Sequence, residues 1–334
     1  MADEPNETPA LRNPIVVAAF EGWNDAADAA SDALRFLQRS LHAQEVFVLD
    51  AQDYSDFQSA RPHVSLSNGV VTGIQWRTTT ISTARIATGQ RDLILVLGVE
   101  PNLKWRQFCD EILSFAEIHA ATTVITLGAL LGDAPHTRTL PVTGTASDPA
   151  TIAKLGLQRS RYAGPTGIVG VLSDAARRSG FEAISLWVPV PHYTASAPSP
   201  KATLTLLHRL AALFELPIDL SNLAVAARGW ETSVDAMVET DGDLIAYVHQ
   251  LEARFDSDEA LDDDPINNDV DTSDVLFDGE YLDELDDFFS NDDDDDEDDD
   301  EDDIFDEDDL PNGDSLAQDF ERYLRDQRPD DSST

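Results

Sequence analysis

The sequence predicts an α/β protein with a mainly parallel central sheet, helices on both of its faces, and a disordered acidic tail. Three observations lead to this prediction. Continuous apolar runs such as residues 14–20 and 93–98 have the length and composition of buried parallel strands. Segments with apolar residues at helical spacing alternate with these runs. Acidic residues are concentrated at one end, because residues 256–334 hold 37 of the 65 acidic residues but only three of the 22 basic ones.

The first half of the chain opens with a β-α-β pattern. The first helix has its apolar residues on one stripe, and Asn24 or Asp25 is its predicted N-cap. The stretch 54–91 is less regular, with short β-prone pieces around the turn Asn68-Gly69, and predicts an antiparallel excursion or edge elements. The predicted elements of this half are strands at 14–20, 45–50, 69–76, 79–86 and 93–98 and helices at 26–38 and 105–119.

The second half continues the alternation of strands and helices. Ser147 or Asp148 is the predicted N-cap of a short helix, and Gly180 is a predicted C-cap. Residues 131–147 are predicted to be a polar loop and the proline-rich residues 189–200 a rigid one. The predicted elements of this half are strands at 122–127 and 182–188, helices ending at 155, 179 and 213, and a further helix within 232–255 that is interrupted near 241.

The domain organisation follows from composition. Residues 1–10 are predicted to be flexible, and residues 11–255 form one α/β domain that is large enough to bury a sizeable core. Residues 256–314 are an acidic linker whose like charges repel, so that we expect disorder. The last segment, 315–328, is predicted to be an amphipathic interaction helix whose apolar face needs a groove, on its own domain, on a neighbouring subunit or on a separate protein; docking on the protein's own oligomer is the favoured alternative. Its apolar face consists of Leu316, Phe320, Tyr323 and Leu324.

The formal net charge of −43 argues against whole classes of partner. Nucleic acid and anionic membrane surfaces would repel this chain, and its longest apolar runs are too short for a membrane-spanning helix. The N-terminus lacks the pattern of a secretion signal, and the single cysteine, Cys109, favours a reducing cytoplasm. Phosphate-loop, nucleophile-elbow and zinc motifs are absent from the sequence, which therefore predicts no cofactor and no metal.

Ligand sites in parallel sheets lie beyond the carboxyl ends of the strands. The predicted loops there are 21–25, 98–102, 128–144 and 189–193, and a Gly-rich turn at 162–167 opens a helix. Each candidate also has a structural interpretation: a helix cap, a loop held by hydrogen bonds, or a turn. The candidate pocket residues are Glu21, Trp23, Asn24, Asp25, His136, Arg138, Thr143, Tyr162, Thr166, His192 and Tyr193.

Four ordered blocks of this sequence resemble one known family. They are FEGWNDAADAA at 20–30, LGALLGDAPHTRTLPVTGTAS at 127–147, YAGPTGIVGVL at 162–172 and SLWVPVPHYTASAPSPKATLTLL at 185–207. Together they resemble the actinobacterial members of the PAC2 family, named after the proteasome assembly chaperone 2. The terminal segment SLAQDFERYLRDQ at 315–327 also resembles a family feature, whereas the acidic linker does not.

The resemblance implies a three-layer α/β sandwich similar to the phosphorylase/nucleoside-hydrolase type, usually in a homo-oligomer. It also implies a non-enzymatic protein-interaction or assembly-chaperone role, with a proteasome-related or other protein partner. The family's proteasome-docking members end in a hydrophobic-Tyr-any tripeptide, which the end of this sequence, Ser332-Ser333-Thr334, lacks. The alternative prediction is an enzyme, hydrolytic or otherwise small-molecule-binding, that uses the sheet's carboxyl edge.

Overall fold

The computed structural model describes residues 10–87, 91–159, 162 and 164–262. The elements alternate along the chain as the apolar pattern predicts. The strands are β1 (Ile15–Glu21), β2 (Gln44–Leu49), β3 (His63–Ser67), β4 (Val70–Gln75), β5 (Thr79–Ala84), β6 (Leu93–Val99), β7 (Thr123–Gly132), β8 (Thr143–Ala146), β9 (Gln158–Arg159) and β10 (Glu182–Pro191). The helices are α1 (Ala29–Ser40), α2 (Ala51–Tyr54), α3 (Trp105–Ile118), α4 (Pro149–Leu155), α5 (Ile168–Arg178), α6 (Pro200–Phe214), α7 (Ser221–Val238) and α8 (Gly242–Asp262).

Eight strands form one sheet in the order β2-β5-β6-β1-β7-β10-β8-β9. Its centre is parallel, because β1 pairs in parallel with both β6 and β7, and β7 pairs in parallel with β10. Antiparallel pairs occur only toward the two sides, at β2-β5, β5-β6 and β10-β8. The predicted mainly parallel sheet is therefore confirmed.

Helices cover both faces of this sheet, which gives three layers. On one face α1 and α6 bury Leu34, Leu37 and Leu206 against alternate residues of the central strands. On the other face α3 and α5 bury Phe108 and Leu172 against the intervening residues. Strands that are buried on both faces need apolar side chains at every position, which explains their continuous apolar runs.

The predicted β-α-β order of elements is present, but its two strands are not neighbours in the sheet. The strand that follows α1 in sequence, β2, does not lie beside β1 but pairs antiparallel with β5 at the edge of the sheet. All of its residues except Leu49 are exposed, whereas every residue of β6 that pairs with the first five positions of β1 is at least half-buried. The central position goes to the more continuously apolar strand, as burial on two faces requires.

Two predicted loops contain strand residues. The polar stretch 131–147 includes the end of β7 and all of β8, which pairs with β10. The proline-rich stretch begins inside β10, which continues to Pro191. Proline is tolerated there because β8 pairs only with Ile184–Trp187, so β10 has a single strand neighbour around Pro189 and Pro191.

The last two described helices, α7 and α8, pack together around a small core of their own at Val234, Val238 and Val248. Helix α8 continues to Asp262, past the predicted end of the domain at residue 255. The predicted flexible N-terminus up to residue 9, the acidic linker beyond residue 262 and the interaction helix 315–328 lie outside the described residues. Among the described residues, no helix is both long enough and apolar enough to cross a membrane.

Candidate functional site

The carboxyl ends of the four central strands lie side by side, because these strands are parallel. This end of the sheet is called its carboxyl edge, or simply the edge, below. Glu21 ends β1, and Asn24 and Asp25 follow it; His136 follows β7, and Tyr193 follows β10. A backbone bridge between Asp25 and Ala129 ties the loop after β1 to β7. The candidate residues at this edge divide into two hydrogen-bonded groups.

The first group centres on Glu100, which directly follows β6. Its Oε1 accepts hydrogen bonds from Asn24 Nδ2 at 2.8 Å and from the Ile168 backbone N–H at 2.7 Å. Ile168 opens α5, so the free N–H groups of this helix face a carboxylate of the same chain. A Cβ at Gly167 would lie 2.2 Å from Asn24 Nδ2 and 2.4 Å from Glu100 Oε1, so the close approach requires glycine here. The Gly-rich turn thus already holds an anion, which is Glu100.

Asp25 caps α1 from a buried position. Its Oδ1 accepts hydrogen bonds from the backbone N–H groups of Ala30 at 2.7 Å and Ser31 at 3.1 Å. Its Oδ2 is buried and has no hydrogen-bond partner among the described residues, and Asn24 Oδ1 is in the same situation. Burial raises the pKa of Asp25 to about 6, since removal from water disfavours the charged form more than the two N–H donors favour it.

The remaining candidate residues outside the His136 group make other contacts or are exposed. Glu21 forms ion pairs with Arg35 and, at 3.3 Å, with Arg77. Trp23 is 57% exposed. The other three candidates lie as follows: Thr143 pairs with Trp187 across β8 and β10, the Tyr162 hydroxyl donates to the Pro165 carbonyl, and Thr166 is exposed before α5.

The second group centres on His136, which is 1% exposed. Its Nδ1 lies 2.9 Å from the Tyr193 hydroxyl and its Nε2 lies 2.9 Å from Asp235 Oδ1. The Tyr193 oxygen also accepts the His136 backbone N–H, which leaves its own proton for Nδ1. The network therefore assigns the Nε2–H tautomer, which donates to Asp235.

A buried phenol beside carboxylates is a poor nucleophile. Burial, together with the charges of Glu252 and Asp235, raises the pKa of Tyr193 to about 12, although the hydrogen bond from the His136 backbone opposes the shift. Tyr193 also packs against the core of the α7–α8 pair and meets the ring of Tyr247 edge to face. The arrangement orients Tyr193 and holds its proton rather than releasing it.

The other members of this group attach the α7–α8 pair to the sheet. Arg138 makes a two-pronged contact with Asp256, at 2.8 and 3.0 Å, and a third contact of 3.2 Å with Glu252, both in α8. These carboxylates raise the pKa of Arg138 above its ordinary value. Lys201 donates to the His136 carbonyl and pairs with Glu231 of α7 at 2.6 Å.

Asp133, in the loop after β7, adds further contacts with the same helices. It accepts a hydrogen bond from the Tyr247 hydroxyl at 2.9 Å and lies 3.7 Å from Arg254. The candidate His192 lies 3.8 Å from its carboxylate. Together with His136 and Arg138, Asp133 places the polar groups of this loop against α7 and α8.

None of the candidate residues lines the one cavity described among the residues of the structure. That cavity lies beside Tyr54, Arg77 and Phe108. Among the described residues, no group of three or more His, Cys, Asp or Glu side chains could hold a metal ion. Burial raises the pKa of the Cys109 thiol to about 12, which keeps it protonated.

Sequence reasoning found the residues of the loops but not their partners. It missed Glu100, although this residue lies in a loop that was identified as part of the edge. It also missed Asp235, Glu252 and Asp256. These acidic residues lie on helix surfaces, where the sequence pattern does not distinguish an anchoring carboxylate from a solvated one.

Comparison with known proteins adds three kinds of finding. The model of the PAC2 family matches residues 19–238. The chain is similar to the proteasome-assembly chaperone homologue Rv2125 of Mycobacterium tuberculosis, with 43% identity, a TM-score of 0.66, and 70% of this chain and 99% of that chain covered. No match was found among curated proteins.

Two further solved structures extend the comparison. A PAC2 family protein from Streptomyces avermitilis is 47% identical, with a TM-score of 0.64 over 70% of this chain and 99% of that chain. The archaeal proteasome activator PbaB of Pyrococcus furiosus has a TM-score of 0.56 over 69% of this chain and 96% of that chain. Its identity is 17%, so this last likeness concerns the fold alone.

Proposed function

Because this chain belongs to the PAC2 family, we propose that it works by binding other proteins, in the manner of an assembly chaperone, and not by catalysing a reaction. Rv2125, a relative at 43% identity, is described as a proteasome-assembly chaperone homologue. The proposal extends that kind of role to this chain, as a homo-oligomer in the cytoplasm with a proteasome-related or other protein partner.

One observation carries the non-enzymatic part of the proposal. The polar side chains that made the sheet edge resemble an active site are engaged with the chain's own helices. His136 reaches Asp235, and Arg138 reaches Glu252 and Asp256. Polar groups that hold a helical pair in place stabilise the fold and do not need a substrate to explain them.

A second candidate function rests on the same residues. The three hydrogen-bonded side chains Asp235, His136 and Tyr193 have the carboxylate–imidazole–hydroxyl order of an acid–base relay, with 2.9 Å between successive members. Turnover of an ester, amide or phosphate ester by the full chain, lost in Asp235→Asn, would favour this hydrolytic function and contradict the proposal.

The proposal predicts which form of a partner the protein binds. Full chain would be mixed separately with unassembled proteasome α subunits and with assembled core particles from an actinobacterium, and the complexes would be weighed by native mass spectrometry. An assembly chaperone should form a complex with the unassembled subunits. No complex with either form would contradict a proteasome-related partner. In that case, capture on the full chain from native lysate should recover a different protein complex. Recovery of no protein complex would contradict the proposal itself.

A further inference from the structure

Helix α8 is amphipathic and turns its apolar side toward the rest of the chain. Its apolar side chains recur at intervals of four, three and four residues, which places them on one stripe. These side chains are Leu244, Val248, Leu251 and Phe255. Val248 and Leu251 are buried and the other two are half-buried, so the stripe is the side of α8 that packs.

The stripe of α8 lies in a groove that the rest of the domain provides. Val234 and Val238 of α7 form one apolar cluster with Val248 of α8, and Tyr193 packs against this cluster from the carboxyl edge of the sheet. The groove therefore has one wall from α7 and one from the loop after β10.

The groove selects for charge as well as for apolar surface. Arg138 and Asp133, both in the loop after β7, contact the two flanks of the stripe, because helical spacing places their partners on opposite sides of it. The partners are Glu252 and Asp256 for Arg138, and Tyr247 and Arg254 for Asp133. A helix that fits this groove needs an apolar stripe with a carboxylate pair along one flank.

Helix α8 is held in the groove by weak interactions. The ion pairs of Arg138 with Glu252 and Asp256 join groups that are between 21% and 53% exposed, and pairs of this kind contribute little to stability. Among residues 242–257, Val248 and Leu251 are the two that are buried. A helix with so few buried side chains opens locally at a smaller cost than that of global unfolding. A competing helix can therefore reach the groove.

The groove belongs to the family domain, whereas the helix that covers it lies beyond the matched residues. The PAC2 match ends at residue 238, which is the last residue of α7. Every groove residue contributed by the sheet loops and by α7 lies within the match. Helix α8 begins only at Gly242, so the groove is complete without it.

We propose that this groove binds an amphipathic helix of a partner protein and that α8 occupies it as a built-in competitor. The partner helix carries the pattern of α8, an apolar stripe bordered by a carboxylate pair that engages Arg138. Binding displaces α8, and the covered state of the free chain lowers the apparent affinity for the partner. The inference rests on the proposed function, since it names the surface and the class of helix through which this chain binds proteins.

The test uses the full chain and a fluorescent peptide of residues 242–262, whose binding is measured by fluorescence anisotropy. Val248→Asp combined with Leu251→Asp should expel α8 from the groove, because burial of two charges is costly, and the peptide should then bind at least about tenfold more tightly than to the wild type. Ala246→Asp combined with Ala253→Asp is the matched control. It adds the same charges at exposed positions of α8 and should leave peptide binding at the wild-type level.

The role of the carboxylate pair is tested by adding Arg138→Gln to the Val248→Asp and Leu251→Asp double variant. Peptide binding should become about threefold to fivefold weaker, which is the range for exposed ion pairs. A peptide in which Glu252 and Asp256 are replaced by Gln and Asn should bind equally weakly whether Arg138 is present or not, because the contact is already lost.

Hydrogen exchange of the wild type gives a second readout that needs no variant. Excess peptide added to the isotope-labelled full chain should displace the chain's own α8, whose amides should then exchange several-fold faster. The amides of α5 lie in the domain core and should be unaffected.

Three results would overturn the inference: a double variant that binds the peptide no more tightly than the wild type, a peptide affinity that Arg138→Gln leaves unchanged, or α8 exchange that does not respond to excess peptide. Each of these results is distinguishable from failure of the proposed function, because complex formation with whole protein partners is measured separately.

Discussion

Asp25 shows how one buried carboxylate can be both a helix cap and a source of pH dependence. The folded protein binds its proton with a pKa of about 6, against 3.8 for the ordinary group. Between these values the folded state holds more protons than the unfolded state, so the free energy of unfolding falls as the pH rises. Over the full interval the loss is on the order of 3 kcal/mol.

Asp25→Asn should remove this dependence. The amide retains an oxygen for the N–H groups of Ala30 and Ser31 but carries no charge. Urea unfolding of both proteins at pH 4 and pH 7 measures the effect, and the acidic tail contributes equally to both. Relative to the variant, the wild type should be less stable at pH 7 than at pH 4 by about 2 kcal/mol. Parallel pH curves would show that Asp25 does not titrate in this way.

Replacement of Gly167 and of Gly229 by alanine should change the free energy of unfolding in opposite directions. Gly167→Ala should cost about 1–3 kcal/mol of unfolding free energy, because the added methyl group meets Asn24 and Glu100. Gly229→Ala, in the exposed middle of α7 with open space around it, should gain about 0.5–1 kcal/mol. Thermal or urea unfolding of the two variants measures both changes. Equal effects at the two positions would refute the close packing at Gly167.

At the scale of single residues, the sequence predicted positions better than roles. The chain direction of parallel strands is enough to place Asn24, His136 and Tyr193 at one edge. What each of them contacts depends on helices that are distant in sequence, and Asp235 is 99 residues from His136. The sequence pattern carries no information on such long-range pairs. It therefore could not decide whether His136 is an anchor or a catalytic group.

At the scale of elements, the loop after β7 anchors α8. Arg138→Gln should release the end of α8, since it removes the contacts with Glu252 and Asp256. Exposed ion pairs contribute little to global stability, so we expect the free energy of unfolding to change little. Hydrogen exchange of the α8 amides should nevertheless become several-fold faster.

Arg177→Gln is the control for this effect. It removes an exposed ion pair with Asp174 within α5 and should leave exchange in α8 unchanged. Added salt should reproduce part of the Arg138→Gln effect in the wild type by screening the charges. If the exchange of α8 is the same in both variants, the contacts of Arg138 do not hold the helix.

The predicted elements differ in how well the pattern specified them. The central strands and the main helices were found because burial on one or two faces leaves a periodic signal. The strand that pairs with β2 was not found, because strand pairing is decided by the whole sheet and not by the order of strands along the chain. Strand β8 was missed because it has four residues, of which only Gly144 is buried.

At the scale of the whole molecule, the described part of the chain combines a closed core with two kinds of surface. The polar edge of the sheet is engaged by α7 and α8, whereas the apolar face of the β3–β4 hairpin, with Val64, Leu66, Val71 and Ile74, is open. The alternation of apolar strands and helices predicted a mainly parallel sheet with helices on both faces, and the resemblance predicted the PAC2 family; both are confirmed. The exposed apolar face could not be recognised from sequence, because its alternating pattern is that of an ordinary half-buried strand.

The central claim, that the polar edge serves as an anchor and not as an active site, is tested most directly by the unfolding free energy of His136→Leu. This change leaves the Tyr193 hydroxyl without its ring partner and breaks the contact with Asp235, so the full chain should lose about 1–3 kcal/mol. His249→Leu, on the exposed surface of α8, should change stability by no more than about 0.5 kcal/mol. An unchanged or higher stability of His136→Leu, as is found where a polar group is kept for catalysis at a cost to the fold, would contradict the account.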